Sequence, residues 1–177
     1  VMVLMMKPLA KDSCAFLPVT FVRGADYYVD WGDGSKIDTL SVSFPKHKYN
    51  DISRMYPVQI SGTINTIGKG SNFSHGADLY EVIQWGSCSL AGISFEGQKN
   101  LVHVAPAKGE ELRNVKNCNG LFKYCSSLKE VPIGFMDGLS PQTTNFNYAF
   151  YGCSSLEHLN NDLFRNFTGK SGVVIWQ

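Results

Sequence analysis

The sequence predicts an α+β protein of two small domains, an N-terminal β-sandwich followed by a short repeat solenoid. Three observations lead there. The run Phe122-Lys-Tyr-Cys125-Ser-Ser-Leu128-Lys-Glu-Val131 returns 28 residues later as Phe150-Tyr-Gly-Cys153-Ser-Ser-Leu156-Glu-His-Leu159, and recurrence at a fixed period marks units that stack. Upstream, short β-prone runs follow one another at the spacing of a small antiparallel sandwich. Residues 1–78 hold seven Asp and no Glu, whereas 79–177 hold six Glu and two Asp. Asp suits turns and Glu suits helices. The first domain is therefore expected over 1–66, a Gly/Ser-rich linker over 67–78 and the second domain over 79–177.

In the first domain Phe16, Val19, Phe21 and Val22 form an apolar, β-prone run broken by Pro18. Asp26-Tyr-Tyr-Val-Asp-Trp31 mixes aromatic and β-branched residues, as strands do. Gly32-Asp33-Gly34-Ser35 supplies residues that tolerate positive φ, the requirement of a tight hairpin. Leu40, Val42 and Phe44 are expected to share an inward face. In the run that follows, Tyr56, Val58 and Ile60 alternate with Gln59 and Ser61. Five or six strands are expected, with Trp31 in the core. Asp30 and Asp33 supply two carboxylates where calcium takes about six to eight oxygens, so their expected role is to bond turn amides.

These residues carry a resemblance. Val29-Asp-Trp-Gly-Asp-Gly-Ser35, then His47-Lys-Tyr49, then Tyr56-Pro-Val-Gln-Ile-Ser-Gly62, resembles the polycystic-kidney-disease (PKD) domain over residues 14–64. The resemblance implies an immunoglobulin-like sandwich serving as a spacer or interaction module on secreted proteins, with His47 structural. The chain departs from the pattern at 50–55, where Asn50-Asp-Ile-Ser-Arg-Met55 replaces the usual glycine.

In the second domain, an offset of 28 pairs Cys118 with Phe146, Phe122 with Phe150, Leu128 with Leu156 and Phe135 with Leu163, apolar in both copies. Phe146, Phe150 and Cys153 are spaced i, i+4, i+7, one face of a helix. The following Leu-x-x-Val/Leu reads as a strand. A weaker copy, Phe95-Glu-Gly-Gln98-Lys-Asn-Leu101-Val-His-Val104, and Leu79-Tyr-Glu-Val82 bring the expected strands to four, near 79, 101, 128 and 156. The pattern Phe-x-x-Cys-Ser-Ser-Leu-x-x-Val-Pro, with an apolar pair such as Phe135-Met136 after it, is similar to the leucine-rich repeat of Bacteroides surface antigens (BspA-like). Gln84-Trp85-Gly86 looks like the junction where such repeats follow a PKD-like module. This resemblance, over 79–170, implies about three and a half repeats in a bacterial surface or secreted protein that binds or adheres. It assigns no functional residue. Residues 171–177 are expected to form a capping strand.

The five cysteines are odd in number and include no Cys-x-x-Cys pair. Cys118 aligned with Phe146 suggests small buried apolar positions, hence free thiols. Net charge is +1 without a basic block, which argues against a nucleic-acid surface. No apolar run reaches the length of a membrane span, and the apolar opening 1–7 lacks a signal peptide's basic region and cleavage pattern.

No phosphate loop, His-Glu-x-x-His or nucleophile elbow occurs. Ser74, His75 and Asp78 sit in one loop, whereas a triad is assembled from distant segments. No enzymatic activity, cofactor or metal is expected. The candidate binding residues are His103, Tyr124, Lys129, Glu130, Tyr148, Tyr151 and His158, with His103 and His158 stacked on one face. The expected partner is a protein, such as a host extracellular one. The alternatives are a carbohydrate, for which Trp85 and Trp176 would be platforms, and a spacer with no ligand. Coplanar exposed aromatics would favour the sugar.

Overall fold

Residues 2–6 alternate in burial: Met2, Leu4 and Met6 are fully enclosed while Val3 and Met5 are half-buried. That is the period of a strand with one face on a core. A computed structural model describes residues 1–9, 11–68, 78–108, 111–143 and 145–167. In order, the strands are β1 (Met2–Met6), β2 (Cys14–Phe16), β3 (Val19–Phe21), β4 (Tyr27–Asp30), β5 (Asp38–Leu40), β6 (Lys46–Lys48), β7 (Tyr56–Gly62), β8 (Ile64–Ile67), β9 (Leu79–Gln84), β10 (Gly92–Ile93) and β11 (His103–Val104). The main sheet has six strands in the order β11-β9-β1-β7-β4-β5. Within it β1 pairs antiparallel with β7, from Met2↔Ile60 to Met6↔Tyr56, and with β9 on its other side. The main sheet thus runs from β5 to β11 through the N-terminal strand. Smaller sheets follow the orders β10-β8-β3 and β2-β6.

The expected face of Tyr56, Val58 and Ile60 is buried, and one apolar cluster joins it to Val29, Ile64, Leu79, Val82 and Leu101. The hairpin also forms: β4 pairs with β5, and Gly32 and Gly34 between them have φ of 76° and 84°. Within 14–64 the strands are β2 to β7, six in number and within the five or six expected, with β1 and β8 flanking them. One expectation needs correction. Leu40, Val42 and Phe44 do not make an inward face. β5 stops at Leu40, Val42 is 50% exposed, and its carbonyl accepts the Tyr27 hydroxyl at 2.6 Å.

The larger correction concerns fold class. The protein is β-rich, built of several sheets, and is not an α+β chain ending in a leucine-rich-repeat solenoid. Among the described residues the only helical segments are 3₁₀ turns at Ile133–Gly138 and Arg165–Phe167. The i, i+4, i+7 spacing at Phe146, Phe150 and Cys153 falls on successive reverse turns. Ala149 N–H bonds Phe146 O, Cys153 N–H bonds Phe150 O, and Leu156 N–H bonds Cys153 O, each three residues back. Gly120, Tyr124, Tyr148 and Gly152 have φ between 56° and 74°. A left-handed residue in every turn stops a right-handed helix from propagating. Of the four strands expected, those near 79 and 101 are β9 and β11, whereas none forms near 128 or 156.

The 28-residue period nevertheless has a physical basis. The amides of Cys118, Gly120, Phe122 and Tyr124 donate to the carbonyls of Asn145, Asn147, Ala149 and Tyr151 at 2.7–2.9 Å. Each turn is therefore laid on the next through alternate residues. Rings stack across the same interval: Phe122 lies 5.7 Å from Phe95 and 5.7 Å from Phe150, with interplanar angles of 13° and 22°.

The cysteines serve this stacking as thiols. Cys125 Sγ donates to Phe95 O at 3.0 Å and Cys153 Sγ to Phe122 O at 2.9 Å, each closing onto the preceding turn. Burial pushes the Cys118 thiol up to about 12 and Cys153 up to about 11, and raises Cys125 as well. With so little thiolate they are poor nucleophiles and resist oxidation. Titration in denaturant without reductant is expected to find all five thiols; three or fewer would show that a disulfide has formed.

Candidate functional site

Three of the expected binding residues converge. Tyr124, Tyr148 and Tyr151 are 46%, 44% and 43% exposed, unusually open for tyrosine in a protein with so many buried rings. Tyr151 meets Tyr124 edge-on at 5.4 Å and 77°, and meets Tyr148 at 6.1 Å and 89°. Lys123 Nζ lies 5.3 Å from the Tyr124 ring centre and 5.6 Å from that of Tyr148, within cation–π range of both. Its partner is Glu96 Oε1 at 2.8 Å, a hydrogen bond that raises the Lys123 pKa. Two exposed rings thus face a paired cation, and a third, Tyr151, packs edge-on against both of them.

The backbone explains why the tyrosines stand outward. The 28-residue offset carries Gly120 onto Tyr148 and Tyr124 onto Gly152, and all four occupy the left-handed region. Each turn uses one glycine and one tyrosine there, in opposite order. A bulky residue in that region costs about 1–2 kcal/mol that glycine avoids. Gly152 also makes room: a Cβ there would sit 2.5 Å from Tyr124 Cδ1. Strain of this kind, kept at two exposed aromatics, belongs with sites under functional constraint.

The other candidates lie apart from this cluster. His103 is half-buried on β11, paired in register with Glu81. Lys129, Glu130 and His158 are exposed, and Glu157 N–H donates to Lys129 O at 3.2 Å, so these two segments adjoin. His103 and His158 do not form the expected stacked pair, since residues 155–160 make no strand and neither imidazole has a hydrogen bond or ring contact among the described residues. Trp85 is not a platform. It is 1% exposed, packs on Phe95 and Phe135, and its indole N–H donates to Ala105 O at 2.8 Å. Ser74, His75, Trp176 and the expected strand at 171–177 lie outside the described residues. Asp78 is buried, with Oδ2 accepting the Phe16 N–H.

The Trp-Gly-Asp-Gly turn is held together by its own side chains. Asp30 Oδ1 accepts Gly32 N–H and Asp33 Oδ1 accepts Ser35 N–H. His47 Nε2 lies 2.8 Å from Asp33 Oδ2, and its ring stacks on Trp31 at 4.8 Å. Burial pushes Asp33 upward, but the hydrogen bonds from Ser35 and His47 together outweigh it and hold the carboxyl at about 2. Trp31, 1% exposed, donates from Nε1 to Asp38 Oδ2 at 2.7 Å. Among the described residues no group of three or more His, Cys, Asp or Glu is placed to hold a metal ion.

Sequence reasoning did not single out Lys123, Glu96 or Gly152. Lys123 lies within the repeat itself, and Glu96 follows the phenylalanine of the weaker copy, so comparing the three copies column by column would have found both. No family model, curated protein or solved structure matches the chain. No helix among the described residues is long and apolar enough to cross a membrane.

Proposed function

We propose that this is a non-enzymatic binding protein of a bacterial surface or secretome, of the Bacteroides type, which recognises an extracellular protein through Tyr124, Tyr148 and Tyr151. The observation that carries the reading is the clustering of three exposed tyrosines, two of which face the paired Lys123. Tyrosine is enriched at protein interfaces because it brings a large apolar face and a polar tip at small cost in side-chain entropy. The edge-on rings supply projecting knobs instead of the coplanar platform on which a sugar ring would lie. The likeness of the repeat run and the Trp-Gly-Asp-Gly segment to modules of secreted proteins supports the location. Buried, weakly acidic thiols are compatible with it.

The test is binding of the purified chain to a panel of immobilised extracellular-matrix proteins, repeated with Tyr148→Gly and Tyr151→Ala. Each substitution is expected to weaken binding by roughly tenfold or more, as interface hot spots do. Tyr148→Gly removes left-handed strain, so its stability should hold while binding falls. Unchanged binding by both variants, or no binding by the parent across the panel, would leave the spacer role in place of this one.

A further inference from the structure

A second surface lies on the outer face of the main sheet. β4 and β7 run antiparallel with Tyr28 opposite Ser61 and Asp30 opposite Gln59. Their alternate neighbours Val29 and Ile60 are fully buried, so these four side chains project together on the solvent side. With Ile37 from the hairpin and Val1 at the sheet's end, they line an open cleft of about 300 Å³. That volume is at the small end of ligand pockets, which run from roughly 300 to 1,000 Å³.

The lining has two halves. Tyr28 and Ile37, 46% and 62% exposed, form an apolar side that the fold does not use. Asp30, Gln59 and Ser61 form a polar side. Asp30 spends one oxygen on Gly32 N–H, while among the described residues the side chains of Gln59 and Ser61 make no hydrogen bond. A carboxylate, a carboxamide and a hydroxyl together offer both donors and acceptors. The lone charged side chain of the lining is negative, which disfavours phosphate or sulfate ligands. The openness of the cleft disfavours a purely apolar one, which gains its affinity from enclosure. A ligand that suits both halves is itself two-sided, with a C–H face for an aromatic ring and an edge of neutral hydroxyls.

We propose that this cleft binds a neutral saccharide, with Tyr28 stacking on the sugar's C–H face and Asp30, Gln59 and Ser61 bonding its hydroxyls. The site is independent of the tyrosine cluster and does not rest on the protein-binding role of that face. A cationic ligand, attracted by Asp30 and the Tyr28 ring, is the competing occupant.

The experiment is amide chemical-shift mapping of the full ¹⁵N-labelled chain. It would be titrated with neutral gluco-, xylo-, manno- and galacto-oligosaccharides, with choline and with a sulfated oligosaccharide. At least one neutral sugar is expected to shift the amides around residues 28–37 and 59–61. Tyr28→Ala should weaken that binding by about tenfold or more and Gln59→Ala by several-fold. Tyr151→Ala should leave it unchanged. All of these side chains are on the surface, so melting temperatures should match that of the parent. Shifts with choline or the sulfated sugar alone, no shifts with any neutral sugar, or full binding by Tyr28→Ala would overturn the assignment.

Discussion

Phe122→Ala is expected to destabilise the protein by on the order of 3–5 kcal/mol, the range for truncating a fully enclosed aromatic. Phe122 has no exposed surface and packs against three other phenylalanines at once. Its ring is stacked between Phe95 and Phe150, with Phe135 tilted against it at 5.5 Å. Its carbonyl accepts the Cys153 thiol and the Cys125 amide, and its own amide donates to Ala149. A hole here sits between turns that those main-chain bonds hold in place, so collapse to refill it would break them. The residual cavity, and with it the cost, stays large. Phe150→Ala should cost less, since Phe150 is 6% exposed and has Phe164 edge-on at 6.2 Å on its outer side. Urea unfolding measures both. A loss below about 1 kcal/mol for Phe122, the range of surface positions, would show that the turns do not share a common core.

What the sequence revealed and what it concealed divide along one physical line. Apolar spacing reports which side chains are buried, and there it served well: Phe122, Cys125, Leu128 and Phe146 are all enclosed. It does not report the backbone path that buries them. A helix and a series of turns bonded three residues back both place i and i+4 on one side. The two differ only at residues such as Tyr124 and Tyr148, whose left-handed φ nothing in tyrosine's chemistry announces. The paired Gly152 and Gly120 carried the signal, because glycine at the matching place of a neighbouring repeat marks a positive-φ position. β1 was hidden for another reason. Met-Val-Leu-Met-Met is apolar at every position, so its period of two shows only in the burial, not in the residue types. The Trp31 cluster was the most legible, since its aspartates, histidine and tyrosine act within about 20 residues of one another. The Tyr124–Tyr148–Tyr151 cluster was readable as a set of residues but not as a geometry, which needs the turn-on-turn register.

Asp78 should make the fold less stable at pH 8 than at pH 5. Its side chain is 1% exposed just before β9, and Oδ2 accepts Phe16 N–H at 2.8 Å. Among the described residues Oδ1 has no hydrogen-bond partner. Burial pushes the carboxyl up to about 7; the Phe16 amide opposes this and the charge on Asp12 adds to it. A raised acid pKa means that the folded chain holds a proton which the unfolded chain releases from its ordinary value of 3.8 upward. Stability from this group is therefore fully present below that value. It declines by up to about 1.4 kcal/mol per unit as pH rises, and levels off once pH passes about 7. Between pH 5 and 8 the loss should be roughly 2–3 kcal/mol. Asp33 acts in a separate window, because its lowered pKa contributes stability above the unfolded value that is lost only as pH falls toward about 2. Asp78→Asn keeps an acceptor for the Phe16 amide and cannot ionise, so its stability should stay nearly level from pH 5 to 8 and exceed the parent's at pH 8. Parallel pH profiles for the two chains would mean that the Asp78 carboxylate is solvated in the folded state after all. A buried charge with one unsatisfied oxygen is otherwise too costly to leave the slope unchanged.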